Sequence, residues 1–109
     1  MSTQKLALVT GGAQGIGYAC AEALKEDGYG VILSDINADG VAEAAERLGA
    51  VAGLACNMAD AAAVTALFDR IEADHGPVSA LVNNAGIAMP GDFLDYDLDA
   101  FDKVIAVNL

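Results

Sequence analysis

The sequence predicts a doubly wound α/β fold, a parallel sheet with helices on both faces, and three observations predict it. Short apolar runs alternate with longer helical stripes along the 109 residues. Glycine punctuates nearly every change of period. The short runs are continuous rather than alternating, as expected of strands covered on both faces.

The first run, Leu6-Ala7-Leu8-Val9, reads as a buried strand and leads into a glycine-rich turn. Ile16, Ala19, Cys20, Ala23 and Leu24 then recur at helical spacing, with Glu22, Lys25 and Glu26 opposite, and Gly28 ends the stripe. Val31-Ile32-Leu33 is the second strand, ending at Ser34-Asp35. The next helix carries Val41, Ala44, Ala45 and Leu48 on one face and stops at Gly49. Val51 to Cys56 is a third, weaker strand, followed by Asp60 as a helix N-cap. Val64, Leu67, Phe68 and Ile71 form the third stripe, closed by His75-Gly76-Pro77, with His75 read as a solvent-facing residue at the helix end. Ala80-Leu81-Val82 is the fourth strand. A last helical stripe is expected through Leu98, Phe101, Val104, Ile105 and Asn108, capped by Asp97. Right-handed crossovers between parallel strands give the order 3-2-1-4, with the fourth strand at an edge.

Composition narrows the function classes. The formal charge of -11 is that of a solvated acidic surface, which would repel bare nucleic acid and anionic membranes. Cys20 and Cys56 lie in apolar stretches without metal-like spacing and read as buried thiols of a reducing compartment, hence a cytoplasmic protein. No apolar stretch reaches the roughly 18–20 residues of a membrane span. The acidic loop Asp92 to Asp99 lacks the turn glycine and closing glutamate of a calcium loop, so no metal site is expected.

The strongest segment is Thr10-Gly11-Gly12-Ala13-Gln14-Gly15-Ile16-Gly17, between the first strand and the first helix. Glycines allow a sharp turn and let a pyrophosphate approach the main chain, and the helix start beyond offers unpaired N–H groups to phosphate. Asp35 follows Gly17 at the end of the second strand. Its carboxylate can accept hydrogen bonds from adenosine ribose hydroxyls and repel a 2′-phosphate; the alternative is a helix-capping aspartate in the Asp35-Ile36-Asn37 turn. No Lys or Arg lies in the glycine turn or just after Asp35, which favours NAD over NADP.

Thr10 to Gly17 resembles the first signature of the short-chain dehydrogenase/reductases, in the spacing of their compact single-domain branch. Asn83-Asn84-Ala85-Gly86-Ile87 resembles the family's second signature, and Val107-Asn108-Leu109 matches a third. The resemblance implies that Gly11, Gln14, Gly15, Ile16 and Gly17 line the pyrophosphate and nicotinamide side. It implies that Asp35 and Ile36 hold the adenosine ribose and that Asn57 and Met58 read the adenine edge. Asn84, Ala85 and Gly86 would pass beneath the cofactor, whereas Asn83 would tie strands together. Asn108 would be the asparagine whose carbonyl orders a water in the proton relay, and as a buried polar residue on the helical stripe it equally reads as a satisfied structural asparagine.

The resemblance further implies an alcohol–ketone oxidoreductase, usually a dimer or tetramer, using a serine and a tyrosine with a lysine four positions on. Here Tyr18, Tyr29 and Tyr96 are followed at that distance by Glu22, Leu33 and Ala100. The 109 residues are therefore expected to be the N-terminal part of one NAD(P)-binding domain of Rossmann type, inactive alone. The other readings are a non-catalytic NAD-binding module, a degraded gene product, and a structural fragment that binds nothing. With the fourth strand and the last stripe short of cover, the isolated chain is expected to fold poorly or self-associate.

Overall fold

Apolar runs of four to six residues supply the strands, and glycines at positive φ, Gly28, Gly49 and Gly76, follow the helices and release the chain toward the next strand. The computed structural model describes residues 5–83 and the backbone of 105–108. In chain order the elements are β1 (Leu6–Thr10), α1 (Gly15–Glu26), β2 (Gly30–Asp35), α2 (Ala38–Leu48), β3 (Ala52–Ala55), α3 (Ala61–Asp74), β4 (Val78–Asn83) and β5 (Ile105–Asn108). The strands form one sheet in the order β3-β2-β1-β4-β5, and every pairing is parallel.

The alternation of side chains across the strands divides the core in two. Leu6 and Leu8 of β1, Ile32 of β2 and Leu81 of β4 pack against Val64, Leu67, Phe68 and Ile71 of α3. Val9, Val31, Leu33 and Val82 face the other way, onto Ala21 of α1 and Val41, Ala44, Ala45 and Leu48 of α2. Helices thus cover both faces, the doubly wound arrangement that the run-and-stripe pattern predicts. The order reverses at β1, so the sheet's switch point lies between β1 and β4 at the strands' carboxyl ends.

Two helix ends are closed by identifiable contacts. Gly49, at φ 76°, terminates α2, and the Lys25 ammonium of α1 donates to the Leu48 carbonyl at 2.6 Å. That places a cation on the negative end of the α2 dipole. α3 ends at an exposed His75, as expected from the sequence.

Three expectations need correction. The buried face of α1 is centred on Gly17 and Ala21; of the expected stripe, Cys20 and Leu24 pack partly buried against that core, while Ile16, Ala19 and Ala23 are exposed. Close packing of a helix on a sheet favours the smallest side chains, which a stripe weighted by apolar size overlooks. Second, Ile105–Asn108 is a strand and not the end of a helix, with Ala80 to Asn83 of β4 in register with it. Its β-branched Ile105 and Val107 suit a strand, and β4 offers it an otherwise unpaired row of backbone groups. Third, β4 is therefore internal: Leu81 is fully buried and Val82 nearly so. The rest of the stripe, from Leu98 to Val104, and its cap Asp97 lie outside the described residues. The acidic loop Asp92 to Asp99 does too.

Cys56 is buried and Cys20 half-buried, both as free thiols. Burial chiefly, and the Asp60 carboxylate secondarily, push the Cys56 thiol above its usual range. Among the described residues no helix is long and apolar enough to cross a membrane, and no group of acidic, histidine or cysteine side chains is arranged to hold a metal ion.

Candidate functional site

Because all strands run the same way, Thr10, Asp35, Ala55, Asn83 and Asn108 end them on one side of the sheet. The turn at residues 11–14 leaves β1 on that side and enters α1. Gly11 and Gly15 hold φ values of 63° and 66°, a region that strains residues with a side chain. Gly12 is required for a different reason. A Cβ there would stand 2.8 Å from Leu33 Cδ2 and 3.1 Å from the Val9 carbonyl oxygen. Its absence lets the turn settle onto β2, where the Gly12 N–H donates to the Ser34 carbonyl at 3.1 Å.

The start of α1 is open. Gln14 occupies the N-cap in extended conformation and makes no side-chain capping bond. A Cβ on Gly15 would meet nothing within 4 Å, so free space lies against the first turn of the helix. The other described helices are sealed by side chains. Asn37 Oδ1 accepts from the Gly40 N–H at 2.9 Å, and Asp60 Oδ1 accepts from the Ala62 and Ala63 N–H groups at 3.0 and 3.2 Å.

Asp35 ends β2 half-buried beside the turn. Its Oδ2 accepts from the Ala13 N–H at 3.2 Å, and its Oδ1 accepts from the Asn37 N–H at 3.1 Å. Asn37, not Asp35, is the cap of α2. Ile16 and Ile36, next to the turn and to Asp35, are 67% and 69% exposed. Large apolar side chains left in water at that end form a surface suited to a ring or sugar face.

On the neighbouring strands, the buried Thr10 hydroxyl donates to Asn83 Oδ1 at 2.9 Å, tying β1 to β4 across the switch point. Ser34 is fully buried, and its hydroxyl has no partner among the described residues. Asn57 is exposed, but its Oδ1 already accepts from the Ala59 N–H at 3.0 Å. The Met58 side chain is buried in the α3-facing core, so it offers a ligand only its main chain.

The structure therefore brings Gly11, Gln14, Gly15, Ile16, Gly17, Asp35 and Ile36 to one end of the sheet, and Gly17 is buried against it. Asn84, Ala85 and Gly86 lie outside the described residues, and Asn108 is described only as a residue of β5. Pattern reading missed the parts played by Gly12 and by the Ala13 N–H. The Gly11-Gly12 pair carried the signal for the first. The second is a main-chain contact, invisible in a string of side chains.

A family model described as short chain dehydrogenase matches residues 5–109. The chain belongs to the short chain dehydrogenase family. Within that family it is 41% identical over 109 residues to D-threitol dehydrogenase of Mycolicibacterium smegmatis, covering 96% of this chain and 42% of that protein. It is 38% identical over 108 residues to the NADP-dependent (R)-specific alcohol dehydrogenase of Lentilactobacillus kefiri, covering 96% and 43%. The solved structure of a menthone neomenthol reductase from Mentha piperita superposes with a TM-score of 0.71 at 36% identity, over 79% of this chain and 33% of that one. The chain thus spans less than half the length of each of these short chain dehydrogenase relatives.

Proposed function

We propose that these residues form the dinucleotide-binding part of an NAD-dependent oxidoreductase, the whole protein interconverting an alcohol and a ketone. The observation that carries this reading is the Asp35 carboxylate fixed beside an uncapped helix start, with no Lys or Arg between Thr10 and Leu24 or directly after Asp35. The first-turn N–H groups of α1, reached over Gly11, Gln14, Gly15, Ile16 and Gly17, hold the diphosphate. Asp35 and Ile36 hold the adenosine ribose. Asn57 and the Met58 main chain face the adenine, and Asn84, Ala85 and Gly86 pass under the nicotinamide half. The Asn108 carbonyl orders a proton-relay water.

Bound nicotinamide supplies the hydride acceptor or donor. This chain's residues bind and orient it and keep a 2′-phosphate away by charge. One relative's name states NADP dependence, so the choice of NAD rests on Asp35 and its surroundings. The two free thiols support a reducing, cytoplasmic setting, the charge of -11 argues against nucleic-acid partners, and the whole protein is a homo-oligomer in this reading.

Titration of the chain with NADH and NADPH, followed by nicotinamide fluorescence, tests the proposal. NADH should bind more tightly by about tenfold, the scale of a 2′-phosphate placed against an unneutralised, half-buried carboxylate. Equal affinities would overturn the NAD assignment, and no binding of either would overturn the site. The 109 residues contain no Tyr-x-x-x-Lys and should bind without turning over any alcohol. Steady NADH production by the pure chain would contradict that.

A further inference from the structure

We propose that Asp35 clamps the glycine turn in its binding shape, so that it governs affinity for the diphosphate as well as the choice at the ribose. The inference rests on the dinucleotide reading above and assigns this acid a second task there. Two successive N–H groups of the turn are held by two successive residues of β2: Gly12 by the Ser34 carbonyl at 3.1 Å, and Ala13 by Asp35 Oδ2 at 3.2 Å. The first contact is main chain to main chain and survives any substitution that leaves β2 in place. The second depends on one side chain.

The turn has reason to need it. Gly11 and Gly15 lie on either side of Ala13, both at positive φ, and glycine gives up more backbone freedom on ordering than any other residue. Gln14 contributes no capping bond that would fix the helix start from within. A charge-assisted bond at Ala13 is the contact by which a side chain selects one shape of this segment. The Asn37 N–H on the other oxygen holds the carboxylate in position to make it.

Charge and acceptor can be separated. Asp35→Asn removes the charge that repels a 2′-phosphate but keeps an oxygen for the Ala13 N–H. Asp35→Ala removes both. If Asp35 acted only at the ribose, Ala13 would be equally protected in the alanine and asparagine variants, whatever their cofactor affinities. A clamp adds an effect away from the ribose: Asp35→Asn keeps Ala13 held and binds both NADH and NADPH more tightly than Asp35→Ala, by a few-fold, the scale of one neutral hydrogen bond. The ratio of the two cofactors narrows in both variants.

The experiment measures NADH and NADPH dissociation constants for the wild-type chain and both variants, with amide hydrogen exchange at Ala13 in the absence of cofactor. Ala13 should be protected in wild type and in Asp35→Asn, and exchange about tenfold faster in Asp35→Ala while the β1 amides stay protected. Should the alanine variant unfold, Asp35→Ser replaces it, since its hydroxyl is too short to span to Ala13. Equal NADPH affinity in the truncated and asparagine variants, with Ala13 protected in both, would overturn the clamp and leave the dinucleotide reading intact. Absence of any binding by wild type would overturn that reading instead, while Ala13 exchange would still decide the clamp.

Discussion

The helices α1 and α3 start at the same end of the sheet, on opposite faces, and they start differently. Asp60 seals α3 by taking the N–H groups of Ala62 and Ala63 onto one oxygen. α1 begins at Gln14, whose side chain takes none. Its neighbours do not bury it either, because Gly15 faces open space. A helix start whose donors are already paired is structurally complete. One left open has lost about 1 kcal/mol of capping and keeps its dipole and its donors for an anion. The contrast separates a sealed helix start from one whose donors, in the proposed reading, are left for a diphosphate, within a single sheet.

The sharpest way to break the open end is Gly12→Ala. The new methyl must displace Leu33 and press on the Val9 carbonyl, which should cost about 1–3 kcal/mol by overpacking and lift the turn off β2. Denaturant melts read the first effect, and the loss of NADH binding reads the second. Unchanged stability would mean that the turn does not rest on β2.

Breaking the sealed end comes next. Asp60→Ala should destabilise the chain by about 1 kcal/mol and leave NADH affinity unchanged, because two α3 donors lose their acceptor far from the turn. Weaker NADH binding would show that the two helix starts are coupled.

Making the open end resemble the sealed one is a milder change. Gln14→Ser supplies a short hydroxyl at the N-cap and should stabilise the free chain by about 0.5–1 kcal/mol. The same hydroxyl competes for the donors that phosphate would use, so NADH affinity should fall by a few-fold. A variant that gains stability with no loss of affinity would argue that the first-turn donors do not carry the diphosphate.

The smallest effect concerns Cys56, just ahead of the sealed helix. Its thiol is pushed up first by burial and then by Asp60. The folded state therefore holds the proton more firmly than the unfolded chain. This contribution to stability is complete below the unfolded thiol's range and is lost as pH rises from about 8.5 through the folded value. Alkylation rates against pH should show Asp60→Ala bringing the thiol down only slightly, since burial is the larger cause. A full return to ordinary thiol behaviour would give the charge, not the burial, the leading part.

Much of this was legible from residues alone, for a physical reason that also marks where legibility stopped. Strands buried on both faces must be continuously apolar, so β1, β2 and β4 stand out as runs, and Val41 to Leu48 and Val64 to Ile71 mark the core faces of α2 and α3. The glycine turn was readable because a sharp strand-to-helix turn demands glycine, as at Gly11 and Gly15, and Asp35 because it closes the apolar run of β2. The buried face of α1 was legible only at its margin, in Cys20 and Leu24, since close approach to the sheet selects Gly17 and Ala21, the residues that a hydrophobic pattern weighs least. β5 was not legible: spacing that fits a helical stripe gives no account of the open edge of β4, and pairing with a distant strand is a property of the assembled sheet. The sequence by itself determined the class of fold, the order of its first four strands and the residues around the turn. Only tertiary structure decided that β2 reaches up through Ser34 and Asp35 to hold that turn, because the contact joins main-chain N–H groups to residues about 22 positions away.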